Sequence, residues 1–269
     1  MEMQKDMIRS MKEIRKERPL IHQITNFVTA NDCANVTLAI GASPVMASDP
    51  GEVEEMVSHA RALVLNIGTL QGCSLEAMLL AGKKAVSLGI PVIFDPVGAG
   101  ATKMRTAAAE KIIKEVPLTV IRGNMSEIKV LAGFSEGIKG VDSIAGYDGA
   151  QELAGMLSRQ LNTVIAVTGP VDIIASGDSV SCTHNGHPLM ASITGTGCMA
   201  TALIGSFAAV TSPYIAALSG IAVMGIAGEV AQKLLRTEQG EGLGFYRVRL
   251  IDAISSMTPE RMEDYVRIS

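Results

Sequence analysis

Six consecutive residues, Ile193-Thr194-Gly195-Thr196-Gly197-Cys198, form a small-residue turn that runs straight into an apolar helical segment beginning at Met199. Gly195 and Gly197 free the backbone to turn so that successive N–H groups face one side, at the positive end of a helix dipole. Anion sites are built this way, and phosphoryl transfer needs one, because its catalysis is mostly positioning and charge neutralisation. A plain glycine turn between strand and helix looks the same, so the neighbouring chemistry has to decide. Cys198 falls at or near the first helical position, where the dipole lowers a thiol pKa and equips it as a base toward a hydroxyl. The alternative is a small residue packed at a helix start.

Further chemistry-bearing residues follow apolar runs. Asp95 opens Asp95-Pro96-Val97-Gly98-Ala99-Gly100, where a carboxylate could hold a water-bridged Mg²⁺ or simply cap a turn. Asn124-x-x-Glu127 reads either as a capping box or as polar groups beside a bound anion and its metal. Arg122, two residues upstream, carries a guanidinium that forks onto phosphate oxygens. Asn26 is a helix cap or a ligand contact, and Met46 lines an apolar pocket or fills core. The four histidines, His22, His59, His184 and His187, show no metal-binding spacing.

These groups need a scaffold that brings them to one edge. Continuous apolar runs at 43–47, 62–67, 92–94, 119–121 and 163–167 read as strands buried on both faces. They alternate with helical patterns at 52–60, 74–88, 103–115, 126–132 and 150–161, which predicts a parallel, doubly wound sheet in a single domain. Segments 172–176 and 180–183, split by Gly177-Asp178, predict an edge hairpin, and residues 199–269 read as mostly helical. Ligands of open α/β sheets bind beyond the carboxyl ends of the strands. Here those ends carry Asn66 and Gly68, Asp95, Arg122 with Asn124, and Thr168 with Gly169.

Composition sets the class. The 269 residues are 48% hydrophobic with 27 glycines, which suits an α/β enzyme and excludes disorder. A net charge of −4 and the absence of Trp argue against nucleic-acid binding and against anionic membranes. Cys33, Cys73, Cys182 and Cys198 lie far apart, so neither a zinc site nor a disulfide framework is expected. Residues 1–18 lack a signal-peptide core, and the weakly polar run 213–228 falls short of the ~18 residues that span a bilayer. The chain therefore reads as soluble and cytoplasmic.

Together the stretches PLIHQITNFVTANDCAN (19–35), GASPVMA (41–47), LVLNIGTL (63–70), PVIFDPVGAGAT (91–102), VIRGNMSEI (120–128), NTVIAVTG (162–169), HNGHPLM (184–190) and TGTGCMATA (194–202) resemble the hydroxyethylthiazole kinase family of the ribokinase-like superfamily. The resemblance implies a mostly parallel central sheet flanked by helices on both faces, and ATP-dependent, Mg²⁺-assisted phosphorylation of the hydroxyl of 4-methyl-5-(2-hydroxyethyl)thiazole in thiamine biosynthesis or salvage. It places nucleotide contacts on Arg122 and Thr168, which Asn124 joins at the strand end, and thiazole contacts on Met46 and Gly195, with Asn26 and Val28 nearby. Asp95 and Glu127 match acidic residues near the metal and phosphates. Gly195, Gly197 and Cys198 match the anion hole and the base position, where the wider superfamily usually has Asp. It also implies a homotrimer with active sites between subunits. The alternatives are a hydroxymethylpyrimidine or pyridoxal kinase, an ATP-dependent dehydratase of hydrated nicotinamide cofactors, and a nucleotide-binding regulator without turnover.

Overall fold

The computed structural model describes residues 2–134, 147–237 and 242–269. The chain opens with α1 (Glu2–Glu17), β1 (Leu20–Ile24), α2 (Ala30–Ile40) and β2 (Ser43–Val45). Alternation then runs through α3 (Val53–His59), β3 (Ala62–Asn66), α4 (Ser74–Ser87), β4 (Val92–Asp95), α5 (Lys103–Glu115), β5 (Val120–Asn124) and α6 (Met125–Ala132). Next, α7 (Tyr147–Leu161) leads to β6 (Val164–Thr168) and the hairpin β7 (Asp172–Ser176) and β8 (Ser179–Thr183). A short 3-10 helix, Pro188–Ser192, precedes α8 (Thr196–Ala208), α9 (Pro213–Thr237), α10 (Leu243–Ser255) and α11 (Pro259–Tyr265).

The eight strands form one sheet in the order β2-β1-β3-β4-β5-β6-β7-β8. Strands β1 to β6 pair in parallel with one another, while β7 joins β6 antiparallel and β8 completes an antiparallel hairpin at the edge, as the turn at Gly177-Asp178 predicts. Alternate strand residues feed two separate cores. Ile21, Val64, Ile93, Val120 and Ala166 pack with α1, α2, α8, α9 and α10, whereas Leu65, Phe94, Ile121 and Val167 pack with α3 to α7. Burial on both faces is why these strands read as continuous apolar runs.

Strand β1 escapes the sequence reading, because His22 and Gln23 interrupt its apolar run. Both are nonetheless buried, since His22 Nε2 hydrogen-bonds the Ala47 carbonyl at 2.8 Å and Gln23 Nε2 donates to Thr37 Oγ1 at 2.8 Å. Strand β2 ends at Val45 rather than at residue 47, as the Ala47 carbonyl is turned to His22 instead of continuing the ladder. The expected helical character of residues 199–269 is found in α8 to α11, and residues 238–241 of that stretch lie outside the described residues.

The estimate that the apolar run ending at residue 228 is too short to span a bilayer is corrected by α9. The helix continues past that point, and its segment Pro213–Leu235 has the length and apolarity to cross one on those counts alone. It packs against α8, α10 and the sheet, with 83% of its most apolar window buried, so its hydrophobicity is that of a central core helix.

Candidate active site

Because the strands run parallel, their carboxyl ends collect on one edge. Asn66 and Asp95 are register partners on β3 and β4, and Asn124 and Thr168 are partners on β5 and β6. Over this edge lies the start of α8. Gly195, at φ +89°, is its N-cap, and no side chain caps the helix. The first N–H groups of a helix have no partner within it, so this uncapped end presents donors at the positive end of the dipole. Gly195 must be glycine for a second reason: a Cβ there would lie 2.5 Å from Thr29 Cγ2.

Arg122 lies directly against this turn. A Cβ on Gly197 would fall 2.9 Å from the guanidinium carbon, so the absence of a side chain at 197 lets the cation approach the helix end. The guanidinium donates to Thr168 Oγ1 and stands 3.7 Å from Asp95 Oδ2. Its Nε is buried without a hydrogen-bond partner in the described structure. An arginine has five N–H donors, so this one keeps capacity for an incoming anion.

Asp95 is fully buried, and its two oxygens differ. Oδ2 accepts from Thr201 Oγ1 at 2.7 Å and from Asn66 Nδ2 at 3.1 Å, while Oδ1 has no partner. Burial pushes this carboxyl up from 3.8 to about 6, against the pull of Arg122 and the Thr201 hydroxyl. Glu127 uses both oxygens in local structure: Oε2 accepts the Asn124 N–H at 2.8 Å and Oε1 accepts the Gly98 N–H at 2.9 Å. With the Glu127 N–H donating to Asn124 Oδ1 at 3.0 Å, the capping box is complete. The cap does not remove Glu127 from the site, because each carboxylate oxygen keeps a second lone pair and the residue still raises the Asp95 pKa by its charge.

Two amides orient Cys198. Asn66 Oδ1 accepts from Gly68 N at 2.9 Å and from Asn26 Nδ2 at 3.0 Å, and Asn26 Oδ1 accepts from the N–H and the hydroxyl of Thr29. These bonds leave the NH₂ groups of Asn26 and Asn66 to donate to Cys198 Sγ, at 3.4 and 3.3 Å. The dipole argument predicts a lowered thiol pKa, and the structure corrects it. The pKa of Cys198 is raised, first by burial and then by the Asp95 charge, and the donors from Thr29, Asn66 and Asn26 only offset part of that. Helix position was legible in sequence; a carboxylate brought in from a distant strand was not.

The structure thus gathers Asn26, Asp95, Arg122, Asn124, Glu127, Thr168, Gly195, Gly197 and Cys198 at one edge. Two expected residues stand apart from the hydrogen-bond network: Val28 is 52% exposed, and Met46 is half-buried against the core that α8 and α9 share. Thr29 and Thr201 belong to the network although the sequence reading assigned them no role, while Asn66, expected as a polar strand end at the ligand edge, turns its amide to Asp95 and Cys198. Thr201 had a usable signal, since it lies one helical turn beyond Gly197, whose carbonyl its hydroxyl reaches at 3.2 Å. A cavity of about 570 Å³ opens beside the cluster, lined among others by Arg122, Thr168, Gly197, His187 and Met224.

A parallel sheet whose carboxyl edge joins an uncapped helix start, an arginine fork and a buried carboxylate is the arrangement of a small-molecule kinase with the ribokinase-like fold. The hydroxyethylthiazole kinase family model matches residues 11–260, and the chain belongs to that family. A hydroxyethylthiazole kinase from Alkaliphilus oremlandii is 50% identical over 258 residues, covering 95% of this chain and 94% of the relative. The solved hydroxyethylthiazole kinase structure from Pyrococcus horikoshii superposes with a TM-score of 0.88 at 40% identity, covering 98% of both chains. The pyridoxal kinase of Staphylococcus aureus in complex with ADP, at a TM-score of 0.61 and 15% identity over 78% of this chain and 88% of its own, shares the fold alone. The chain is therefore a kinase of an α/β, mostly parallel architecture.

Proposed function

We propose that this kinase transfers the γ-phosphoryl group of ATP to the hydroxyl of 4-methyl-5-(2-hydroxyethyl)thiazole, serving thiamine biosynthesis or salvage. The observation that carries the reading is the convergence of Arg122 and the uncapped start of α8 at one cavity, with the buried Asp95 carboxylate, whose Oδ1 has no partner, 3.7 Å behind the guanidinium. The first two attract a triphosphate. The third fits a hard cation. Among the described residues no three His, Cys, Asp or Glu side chains cluster as metal ligands, and the acidic side chains at the ends of β4 and β5 are Asp95 and Glu127. That set suits Mg²⁺, which is bound through one or two carboxylates together with substrate phosphates and water. Asp95 would hold it, with Glu127 as the second acidic residue. When bound, the ion neutralises phosphate charge.

The chain's own groups account for the remaining steps. Arg122 and Thr168 hold the nucleotide phosphates, and the N–H groups at Gly195 to Cys198 form the anion hole for the phosphoryl group in transit. The acceptor oxygen forms a bond to the γ-phosphorus as the bond to the β–γ bridging oxygen breaks, and ADP departs. Cys198 Sγ, held by Asn26 and Asn66, receives the hydroxyl proton in its thiolate form. Burial keeps that form scarce at neutral pH, so positioning and charge neutralisation carry most of the rate. Met46, Gly195, Asn26 and Val28 form the acceptor side. Family membership further supports a homotrimer with sites between subunits, to which the exposed Phe27 and Val28 beside Asn26 would be suited. It also supports a cytoplasmic location.

Identity at the 50% level over nearly the whole chain favours this acceptor over pyridoxine-like alcohols or a hydrated nicotinamide. ADP release measured across a small panel of alcohols tests it. Release should depend on the hydroxyethylthiazole, and a stronger response to a pyridine or pyrimidine alcohol, or release without any acceptor, would refute the assignment.

A further inference from the structure

Most polar side chains around the cavity are already committed. Asn185 Nδ2 donates to Glu229 Oε1 at 3.2 Å and to the Tyr265 carbonyl at 2.9 Å, and its Oδ1 accepts the Arg267 N–H at 2.9 Å. The Gly186 N–H goes to Glu229 Oε1 at 2.8 Å. Asp172 accepts the Gly169 N–H at 3.0 Å and the Thr183 hydroxyl at 3.2 Å. These bonds brace the segment that leads into His187 and leave little to read a ligand.

His187 differs. Its Nδ1 accepts the backbone N–H of Leu189 at 3.2 Å, capping the 3-10 helix Pro188–Ser192. A backbone N–H can only donate, so in the neutral ring Nδ1 is bare and the proton sits on Nε2. The fold thereby sets the tautomer. One ring N–H remains, and among the described residues it has no partner, although His187 lines the same cavity as Arg122, Thr168 and Gly197.

We infer that His187 Nε2–H donates to an acceptor atom of the nucleoside part of the phosphoryl donor, a ring nitrogen or a ribose oxygen. The inference deepens the proposed function and rests on it. With the phosphates drawn to Arg122 and the start of α8, the rest of the nucleotide must occupy the remainder of the cavity. Its walls there include Met190, Ile221 and Met224, apolar surfaces suited to the faces of a base. His187 supplies the donor that fixes orientation among them.

The test uses the full chain and two probes, ADP and inorganic tripolyphosphate, with dissociation constants measured by calorimetry. His187→Asn keeps a good N-cap acceptor while removing the ring N–H, and His187→Ser is a second cap-competent variant should the first fold poorly. Loss of one hydrogen bond should weaken ADP by about 2- to 10-fold, with tripolyphosphate affinity and the acceptor KM unchanged. Arg122→Ala should weaken both probes. Unchanged ADP affinity in the His187 variants, with Arg122→Ala still impaired, overturns the role of His187 and leaves the cavity as the nucleotide site. Equal weakening of tripolyphosphate overturns it as well, since the effect would then lie at the phosphate end. If Arg122→Ala binds both probes normally, the nucleotide reading of the cavity fails, and the inference with it.

Discussion

Asp95 is held in a state that disfavours folding at the pH where it is needed. Its carboxyl is buried, and the folded protein raises its pKa from 3.8 to about 6. A factor of ten in proton affinity is worth about 1.36 kcal/mol, so the gap amounts to on the order of 3 kcal/mol. The sign follows from proton binding: the folded state holds this proton more tightly than the unfolded chain does. The stabilising contribution is therefore complete below the unfolded pKa and is lost as pH rises through the folded one. Asp95→Asn does not titrate. Its stability relative to wild type should thus climb with pH by up to about 3 kcal/mol, most of it between about pH 3.8 and pH 6, the unfolded and folded values. Asp172, raised to about 6 by its own burial, is present in both proteins and cancels in the difference. Urea unfolding of the two proteins across that range measures it. The variant should also lose turnover, because the free Oδ1 is the group proposed to meet the metal. A stability difference that is flat with pH, or that falls as pH rises, would refute the burial argument.

Three further outcomes follow from the same geometry. Glu127→Gln can keep only one of the two backbone N–H bonds that the carboxylate now accepts, so it should lose about 1–3 kcal/mol of stability and need more Mg²⁺ for half-maximal rate; an unchanged Mg²⁺ requirement would reduce Glu127 to a cap. In wild type, log kcat should rise with pH through neutrality as the raised Cys198 thiol ionises. Cys198→Ala should be slower by about 10²–10⁴, and Cys198→Asp should be faster than the Ala variant with a flatter profile; an Asp variant no faster than Ala would end the case for a base. Mixing inactive Met46→Arg chains with inactive Cys198→Ala chains should restore some activity if sites are shared between subunits, and no recovery after verified exchange would show that each site is built within one chain.

What the sequence made legible was whatever depends on local pattern. Helix α5 falls on the expected bounds because Thr102 caps it and accepts the Arg105 N–H, and the strand-end residues Asp95, Arg122 and Thr168 stand out because each closes an apolar run. Strand β1 did not stand out, since the partners that make His22 and Gln23 tolerable in the core come from residues 47 and 37. The same limit applies within the site. Nothing local says that Asn66 touches Cys198, or that Asp95 lies close enough to raise its pKa. For Asn124 and Glu127 the two sequence readings turn out not to compete, because the capping box is formed at the very edge where the acidic residue is wanted.

Phosphoryl transfer from ATP to a hydroxyethylthiazole is proposed to take place at the edge built by Asp95, Arg122 and the start of α8. The label from γ-³²P-ATP can be followed with this chain, Mg²⁺ and the thiazole alcohol. One labelled phosphoester of the thiazole should form for each ADP released, with no label transferred by Asp95→Asn. Label appearing in inorganic phosphate, or transfer that persists at the wild-type rate in that variant, would contradict it.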